Sequence, residues 1–270
     1  MNGETKKIFR KKTFIEQGSF IINELPKNKT MEVHHHPHVE KKAFKEYFLE
    51  FVMIFLAVTL GFFAESLREN MNDRGKAREY IQSFYEDLKT DTAKVSEIIQ
   101  FDDEKIVGLS DITKCYDTIS QNPKSSSCLF RIVRSTISNK PFQITDRTLQ
   151  QLANAGGFRL LKKEDADTIS RYVQAFNNIR DFQSTGYQQA QDDVRKMLSL
   201  VIDVKATMQL LKPELKGELL FSHDKALLNE YFNDLIRYNG FTNAQRRLLK
   251  DFKDNQIRII QYLRNKYHFE

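Results

Sequence analysis

The chain has 270 residues, with 42 Lys and Arg against 36 Asp and Glu, which gives a formal net charge of +6. It has only 10 glycines and 5 prolines and no runs of alternating apolar residues, a composition that favours an all-α protein. The sequence lacks a glycine-rich phosphate loop, a nucleophile elbow and a His-Glu-x-x-His zinc motif, so we predict no enzyme. Basic and acidic residues are interleaved along the chain, which argues against nucleic-acid binding.

Residues 1–40 are predicted to form a disordered N-terminal tail that is basic and rich in histidine. Imidazole is a common protein ligand of Zn, Cu and Ni, and a cluster of imidazoles lies in this tail. A proline inside the cluster leaves no fixed geometry for a structural metal site, so we expect at most loosely bound Zn or Ni. A pH-responsive or an interfacial segment is the alternative interpretation. The cluster consists of His34, His35, His36 and His38.

Residues 41–68 are predicted to form a transmembrane anchor helix. Within them, residues 47–64 carry a single charged side chain, Glu50, and would extend about 27 Å as a helix, close to the hydrocarbon thickness of a bilayer. A buried core helix is one alternative, although residues 51–57 are apolar on every side of the helix. A cleaved signal peptide is another, but bulky rings occupy the positions where small residues would be required. The residues assigned to the span include Tyr47, Phe51, Ile54, Leu56, Val58, Leu60, Phe62 and Ala64.

The basic residues near the span bear on the orientation of the anchor. Residues 1–50 carry more basic than acidic side chains, which favours a cytoplasmic N-terminus and a periplasmic C-terminal domain. Basic residues also follow the span closely, so the opposite orientation stays open. Cys115 and Cys128 flank a polar, turn-rich segment and would lie at the same end of a helical hairpin. A disulfide between them would be worth about 3 kcal/mol and would need an oxidising compartment, whereas two unrelated thiols are the alternative.

Residues 69–270 are predicted to form a bundle of long helices that continues from the anchor. Apolar residues recur at threes and fours from Ile81 to Ile119, which predicts one helix running toward Ser120 with a break near residues 73–75. Thr145 or Asp146 would cap the next helix, which Gly156 and Gly157 would end. A third helix would begin at Glu164 and Asp165 and end at Pro213. Two more would follow, at residues 225–238 and 242–267, separated by Asn239 and Gly240.

Three groups of side chains in this bundle have a structural and a functional interpretation. The acids of 102–104 and 164–167 are predicted to lie on solvated helix faces rather than in an active site. Four aromatic residues are predicted to belong to the core rather than to a binding pocket: Tyr172, Phe176, Phe182 and Tyr187. Residues 142–158 mix small and aromatic residues between two helices. They would form either a well-packed connection, which we favour, or a crevice for a ligand or partner.

Several segments resemble a group of uncharacterised single-pass membrane proteins of Bacteroidota. The resemblance is most specific over residues 31–70, which include His-His-His-Pro-His at 34–38 and Met-Ile-Phe-Leu-Ala-Val-Thr-Leu-Gly-Phe-Phe-Ala-Glu at 53–65. Residues 80–92 are similar to the membrane-proximal helix of such proteins, and residues 148–161 to a recurring helix–Gly–helix element. The resemblance implies an anchor followed by a helical domain, and it implies no activity, ligand or catalytic residue.

These observations together predict a bacterial inner-membrane protein that displays a helical bundle as an interaction or sensory module. It would act by contacting a protein partner or another copy of itself, with the lipid bilayer as its other contact. We expect no cofactor and no small-molecule substrate. The alternative is a membrane-tethered protein that handles metal through the histidine cluster.

Overall fold

The computed structural model describes residues 44–212 and 217–270, and every regular element in these two ranges is a helix. The prediction of an all-α protein is therefore confirmed for the described residues. The elements are α1 (Phe44–Gly108), α2 (Ile112–Gln121), α3 (Ser127–Arg134), α4 (Arg147–Asn154), a 3₁₀ turn (Gly157–Leu160), α5 (Lys163–Phe182), a π-helical turn (Gln183–Tyr187), α6 (Gln188–Val201), α7 (Val204–Thr207) and α8 (Lys225–Tyr267).

The chain divides into two compact units, Met1–Val58 and Thr59–Glu270. The described part of the first unit is the N-terminal portion of α1, whose apolar side chains are largely exposed. The most apolar 18-residue window of this helix has a mean hydropathy of 2.1, and no part of that window is buried. By its length and composition, the helix could cross a membrane.

Helix α1 is continuous through residues 73–75, so the predicted break there is wrong. A Cβ added to Gly75 would meet nothing within 4 Å, so no tertiary contact requires a glycine there. A glycine inside a helix costs only about 1 kcal/mol, which good helix formers on both sides offset. The chain leaves the helix after Gly108 instead. A Cβ on Gly108 would lie 1.8 Å from Ser135 Oγ, so this glycine allows the segment after α3 to pass against the end of α1.

The third predicted helix is shorter than expected and contains an irregular turn. It runs from Lys163 through the π-helical turn to Val201, and does not continue to residue 212. Beyond Val201 the backbone pairs with a later segment: Asp203 N donates to Leu219 O, and Phe221 N donates to Val201 O. These two bonds take the place of the hydrogen bonds that would continue the helix. Because they involve residues 219 and 221, the local periodicity of apolar residues could not predict them.

Helix α8 is a single helix from Lys225 to Tyr267, so the predicted break at Asn239 and Gly240 is also wrong. The carboxylate of Asp224 caps its start by accepting from the N–H groups of Ala226 and Leu227. Gly240 meets nothing within 4 Å and stays helical. The helix packs against both α5 and α6.

The bundle contains two apolar cores with a polar layer between them. One core gathers residues of α2, α3, α6 and the first half of α8, and the other gathers residues of α1, α5 and the second half of α8. Tyr172 and Tyr187 are fully buried and Phe182 packs against the first core, as predicted. Phe176 packs against the second core but is only partly buried, and it also lines the crevice described below. The polar layer consists of Asp102, Lys105, Gln183, Thr242 and Gln245, whose positions along their helices fall between the two cores.

Candidate functional site

An open crevice of about 790 Å³ lies between α4 with its 3₁₀ turn and α5. Its apolar lining comes from partly buried side chains that continue the core outward: Ile144, Leu149, Phe158, Val173 and Phe176. Its polar rim includes Asp146 and Arg180, one acid and one base, together with uncharged polar side chains. Apolar concavities with a small number of polar groups are typical of binding sites.

One wall of the crevice comes from residues 142–158, for which the sequence left two interpretations open. In the structure, some side chains of this segment form a packed connection and others line a crevice. Phe142, Thr148 and Leu152 are buried and make a packed connection to the core. Ile144 and Leu149 are partly exposed and line the crevice.

A buried carboxylate on α1 fixes the start of this segment. Asp91 is 1% exposed and accepts from the backbone N–H of Thr145 at 2.9 and 3.0 Å and from its hydroxyl at 2.8 Å. Tyr172 of α5 donates to the other oxygen of Asp91 at 2.9 Å, and Lys94 lies 3.2 Å from the carboxylate. Asp91 thereby connects α1 to both walls of the crevice.

A second carboxylate, one helical turn earlier, fixes α4 itself. The hydroxyl of Thr148 donates to Asp87, and the guanidinium of Arg147 lies 3.7 Å from the same carboxylate. Because Asp87 and Asp91 are four residues apart, both project from one face of α1 toward α4. The crevice wall is therefore attached to α1 by two charge-assisted contacts, which are the stronger kind of hydrogen bond.

The polar layer between the two cores contains a buried lysine. Lys105 donates to the hydroxyls of Tyr187 and Tyr238 at 2.9 and 2.7 Å and to Ser138 O at 2.9 Å, so all three ammonium protons are used. The π-helical turn brings Tyr187 to this position. Burial lowers the pKa of Lys105 to about 8, which leaves it protonated at neutral pH.

The neighbouring Asp102 is buried as well, at 0% exposure. Gln245 donates to its Oδ2 at 2.9 Å, whereas Oδ1 has no partner. Burial raises the pKa of Asp102 to about 6, against the hydrogen bond from Gln245 and the charge of Lys105, which both lower it.

The prediction that the acids of 102–104 and 164–167 are all solvated is wrong for Asp102 and Asp165. Asp165 is 1% exposed and accepts from Lys266 at 2.8 Å, Tyr262 at 2.9 Å and Tyr267 at 2.6 Å. These partners lower its pKa although burial opposes them. The sequence does contain a signal that Asp87, Asp91 and Asp102 are buried. Each of them lies three or four residues from a buried apolar residue of α1 and therefore falls on the same face of the helix.

The cysteines are joined in the structure. Cys115 of α2 and Cys128 of α3 form a disulfide with an S–S distance of 2.07 Å and a Cα–Cα distance of 5.7 Å. The bond connects two short helices at the end of the bundle that contains the first core. It lies apart from the crevice, whose lining residues belong to α4, α5 and their connections.

The remaining predicted site residues fall in two places. The residues assigned to the span all lie on α1 with exposed side chains. The histidine cluster, His34, His35, His36 and His38, lies outside the described residues. Among the residues that the structure does describe, no group of three or more His, Cys, Asp or Glu is placed to hold a metal ion.

The chain matches no protein-family model, no curated protein and no solved structure. The resemblance to membrane proteins of Bacteroidota gains no support from these comparisons. Function must therefore be argued from the geometry of the described residues.

Proposed function

We propose that this protein is a single-pass protein of the bacterial inner membrane that displays a helical bundle as a non-enzymatic interaction or sensory module. The anchor is the apolar part of α1, whose exposed side chains have no protein cover. In water, such a continuous apolar surface would be strongly unfavourable, whereas hydrocarbon would cover it. The bilayer is thus the first partner in this proposal.

The bundle belongs outside the cytoplasm in this proposal. The disulfide between Cys115 and Cys128 supports this orientation, because such bonds persist in oxidising compartments such as the periplasm. Thiol labelling of intact cells with a membrane-impermeant maleimide tests it. We expect labelling only after reduction, and labelling that needs cell lysis but no reductant would contradict the orientation.

The crevice is the proposed contact site, and its occupant is a short apolar segment of a protein partner. Its lining offers aliphatic and aromatic surface, while the acid and the base on the rim, Asp146 and Arg180, leave the rim without net charge. A rim without net charge around an apolar floor is complementary to a partner segment that has apolar side chains and no charged ones. A strongly charged partner would gain little there.

One observation carries the sensory part of the proposal: α1 contains both the apolar anchor segment and the two aspartates that hold α4. A partner segment that enters the crevice contacts Leu149 and Ile144, which neighbour Thr148 and Thr145 in the chain. Displacement of this wall would strain the contacts to Asp87 and Asp91 and so change the packing on α1. Such a change at a packed helix is the physical basis for coupling between sites.

Site-specific photo-crosslinking tests the contact. A photoreactive residue replaces Ala153, which lines the crevice, in the full-length protein in its native membrane, and Glu97 on the exposed face of α1 serves as the control position. We expect an adduct from position 153 that disappears when Leu149 and Val173 are both changed to Asp, and no such adduct from position 97. Identical adducts with and without these changes, or none at all, would contradict the crevice as the contact site.

The size of the adduct identifies the occupant. An adduct of two chains would show that a second copy fills the crevice and would overturn the choice of a different protein. The metal-handling alternative stays a prediction, because its four histidines lie outside the described residues. Replacement of His34, His35, His36 and His38 by Ala would test it through loss of metal binding.

A further inference from the structure

We infer that the protein has a binding site for a small oxyanion in a second crevice, between the C-terminal parts of α1 and α3. This crevice measures about 270 Å³. It is separate from the apolar crevice and shares no lining residue with it. Its lining consists of Phe101, Glu104, Lys105, Arg131, Arg134, Ser135 and Ser138.

The crevice is lined by more basic than acidic side chains. Arg131 and Arg134 both lie in the last turn of α3, are exposed, and form no ion pair with the described part of the chain. Lys140 lies nearby, with its Nζ 5.4 Å from the centre of the Phe101 ring, and it has no carboxylate partner among the described residues either. Glu104 is the only acid in the lining, and it accepts a hydrogen bond from Gln100 at 3.2 Å.

Lys105 forms the inner wall of the crevice, and three hydrogen bonds hold its ammonium group in place. It is 4% exposed, and its Nζ lies 4.8 Å from the centre of the Phe101 ring. Since its three protons are committed to Ser138 O, Tyr187 and Tyr238, it would act on an anion through its charge rather than through a hydrogen bond.

The ligand class follows from these groups. Two guanidinium groups that stand one helical turn apart and have free donors suit the several acceptor oxygens of a phosphate or a carboxylate. Phosphate offers more acceptor oxygens than a carboxylate does, so it is the better fit for two guanidinium groups. The size of the crevice allows a single phosphate-sized group, borne either by a free ion or by a small phosphorylated molecule.

Equilibrium dialysis with radiolabelled inorganic phosphate tests this site in the full-length protein in detergent, at constant ionic strength. We expect saturable binding of one phosphate per chain. Changing Arg131 and Arg134 together to Gln should weaken binding at least tenfold. The matched control changes Arg171 and Arg258 to Gln, which removes the same charge from the exposed groove between α5 and α8 and should leave binding unchanged.

Competition distinguishes the class of oxyanion that the site accepts. Displacement by sulfate but not by acetate at equal concentration would support a phosphate-type ligand, and displacement by both would support an oxyanion site that also accepts carboxylates. Absence of saturable binding, or equal binding by the Arg131 and Arg134 variant and the wild type, would overturn the site. Circular dichroism of each variant checks that the helical content is unchanged.

Discussion

Gly186 in the π-helical turn lies directly against the ring of Phe241 on α8. A Cβ added to Gly186 would be 2.5 Å from Cε1 of that ring, closer than non-bonded carbon atoms approach. The absence of a side chain thus allows the turn between α5 and α6 to pack on α8. The same turn places the hydroxyl of Tyr187 2.9 Å from Nζ of Lys105.

The two glycines on these elements should respond to alanine with opposite signs. Gly186→Ala should destabilise the protein by about 1–3 kcal/mol, because the new methyl group overpacks against Phe241. Gly240→Ala meets nothing within 4 Å in the middle of α8 and should stabilise it by up to about 1 kcal/mol through helix propensity. Urea unfolding of the detergent-solubilised protein, followed by circular dichroism, measures both. Equal effects of the two changes would contradict this packing.

Loss of the carboxylate that holds the crevice wall should be costly. Asp91→Asn removes the charge that accepts from Thr145 and Tyr172, and we expect the free energy of unfolding to fall by about 3 kcal/mol. Asp251→Asn is the matched control, because Asp251 is exposed on α8 and should change stability by less than about 0.5 kcal/mol. Urea unfolding compares them, and similar midpoints for the two variants would show that the contact between Asp91 and Thr145 contributes little.

The disulfide should contribute measurably to stability. Reduction of the bond between Cys115 and Cys128 should lower the free energy of unfolding by about 3 kcal/mol, since the reduced unfolded chain gains conformational freedom. The variant with both cysteines changed to Ala is the control, and its unfolding should not respond to reductant. A wild type whose unfolding curve is the same with and without reductant would contradict the prediction.

Stability should depend on pH through Asp102. Its pKa is raised from the ordinary 3.8 to about 6 in the folded protein, so the folded state binds this proton more tightly than the unfolded chain does. The contribution of Asp102 is therefore most favourable below pH 4 and is lost as the pH rises to about 6, by at most about 3 kcal/mol. Lys105 remains protonated over this range, because its pKa is about 8.

The comparison with Asp102→Asn isolates this effect. The amide keeps an oxygen that accepts from Gln245 but does not titrate. We expect the variant to gain stability relative to the wild type as the pH rises from 4 to 6, and to show no further relative change up to pH 7. Parallel stability profiles for the two proteins across that range would show that Asp102 does not titrate with a raised pKa.

The sequence by itself determined the features that depend on local pattern. Apolar residues spaced three or four positions apart predicted helices. The apolar run at 47–64 predicted a helix with no polar face. Thr145 or Asp146 was predicted at the start of α4, and Asp146 is its N-cap residue, although its side chain makes no capping hydrogen bond. The glycines predicted to end the helix follow it, and Gly156 has a φ of 63°. The spacing of Cys115 and Cys128 around a polar turn also suggested their pairing.

Tertiary structure decided where helices continue, where they stop and which acids are buried. Gly75 and Gly240 stay helical, and α6 stops at Val201 because its backbone pairs with residues 219–221. Asp91 and Asp102 are buried because Thr145 and Gln245, which are 54 and 143 residues away in sequence, supply their hydrogen bonds. A carboxylate on an apolar stripe is too costly to bury without such partners, and only the folded chain brings them together.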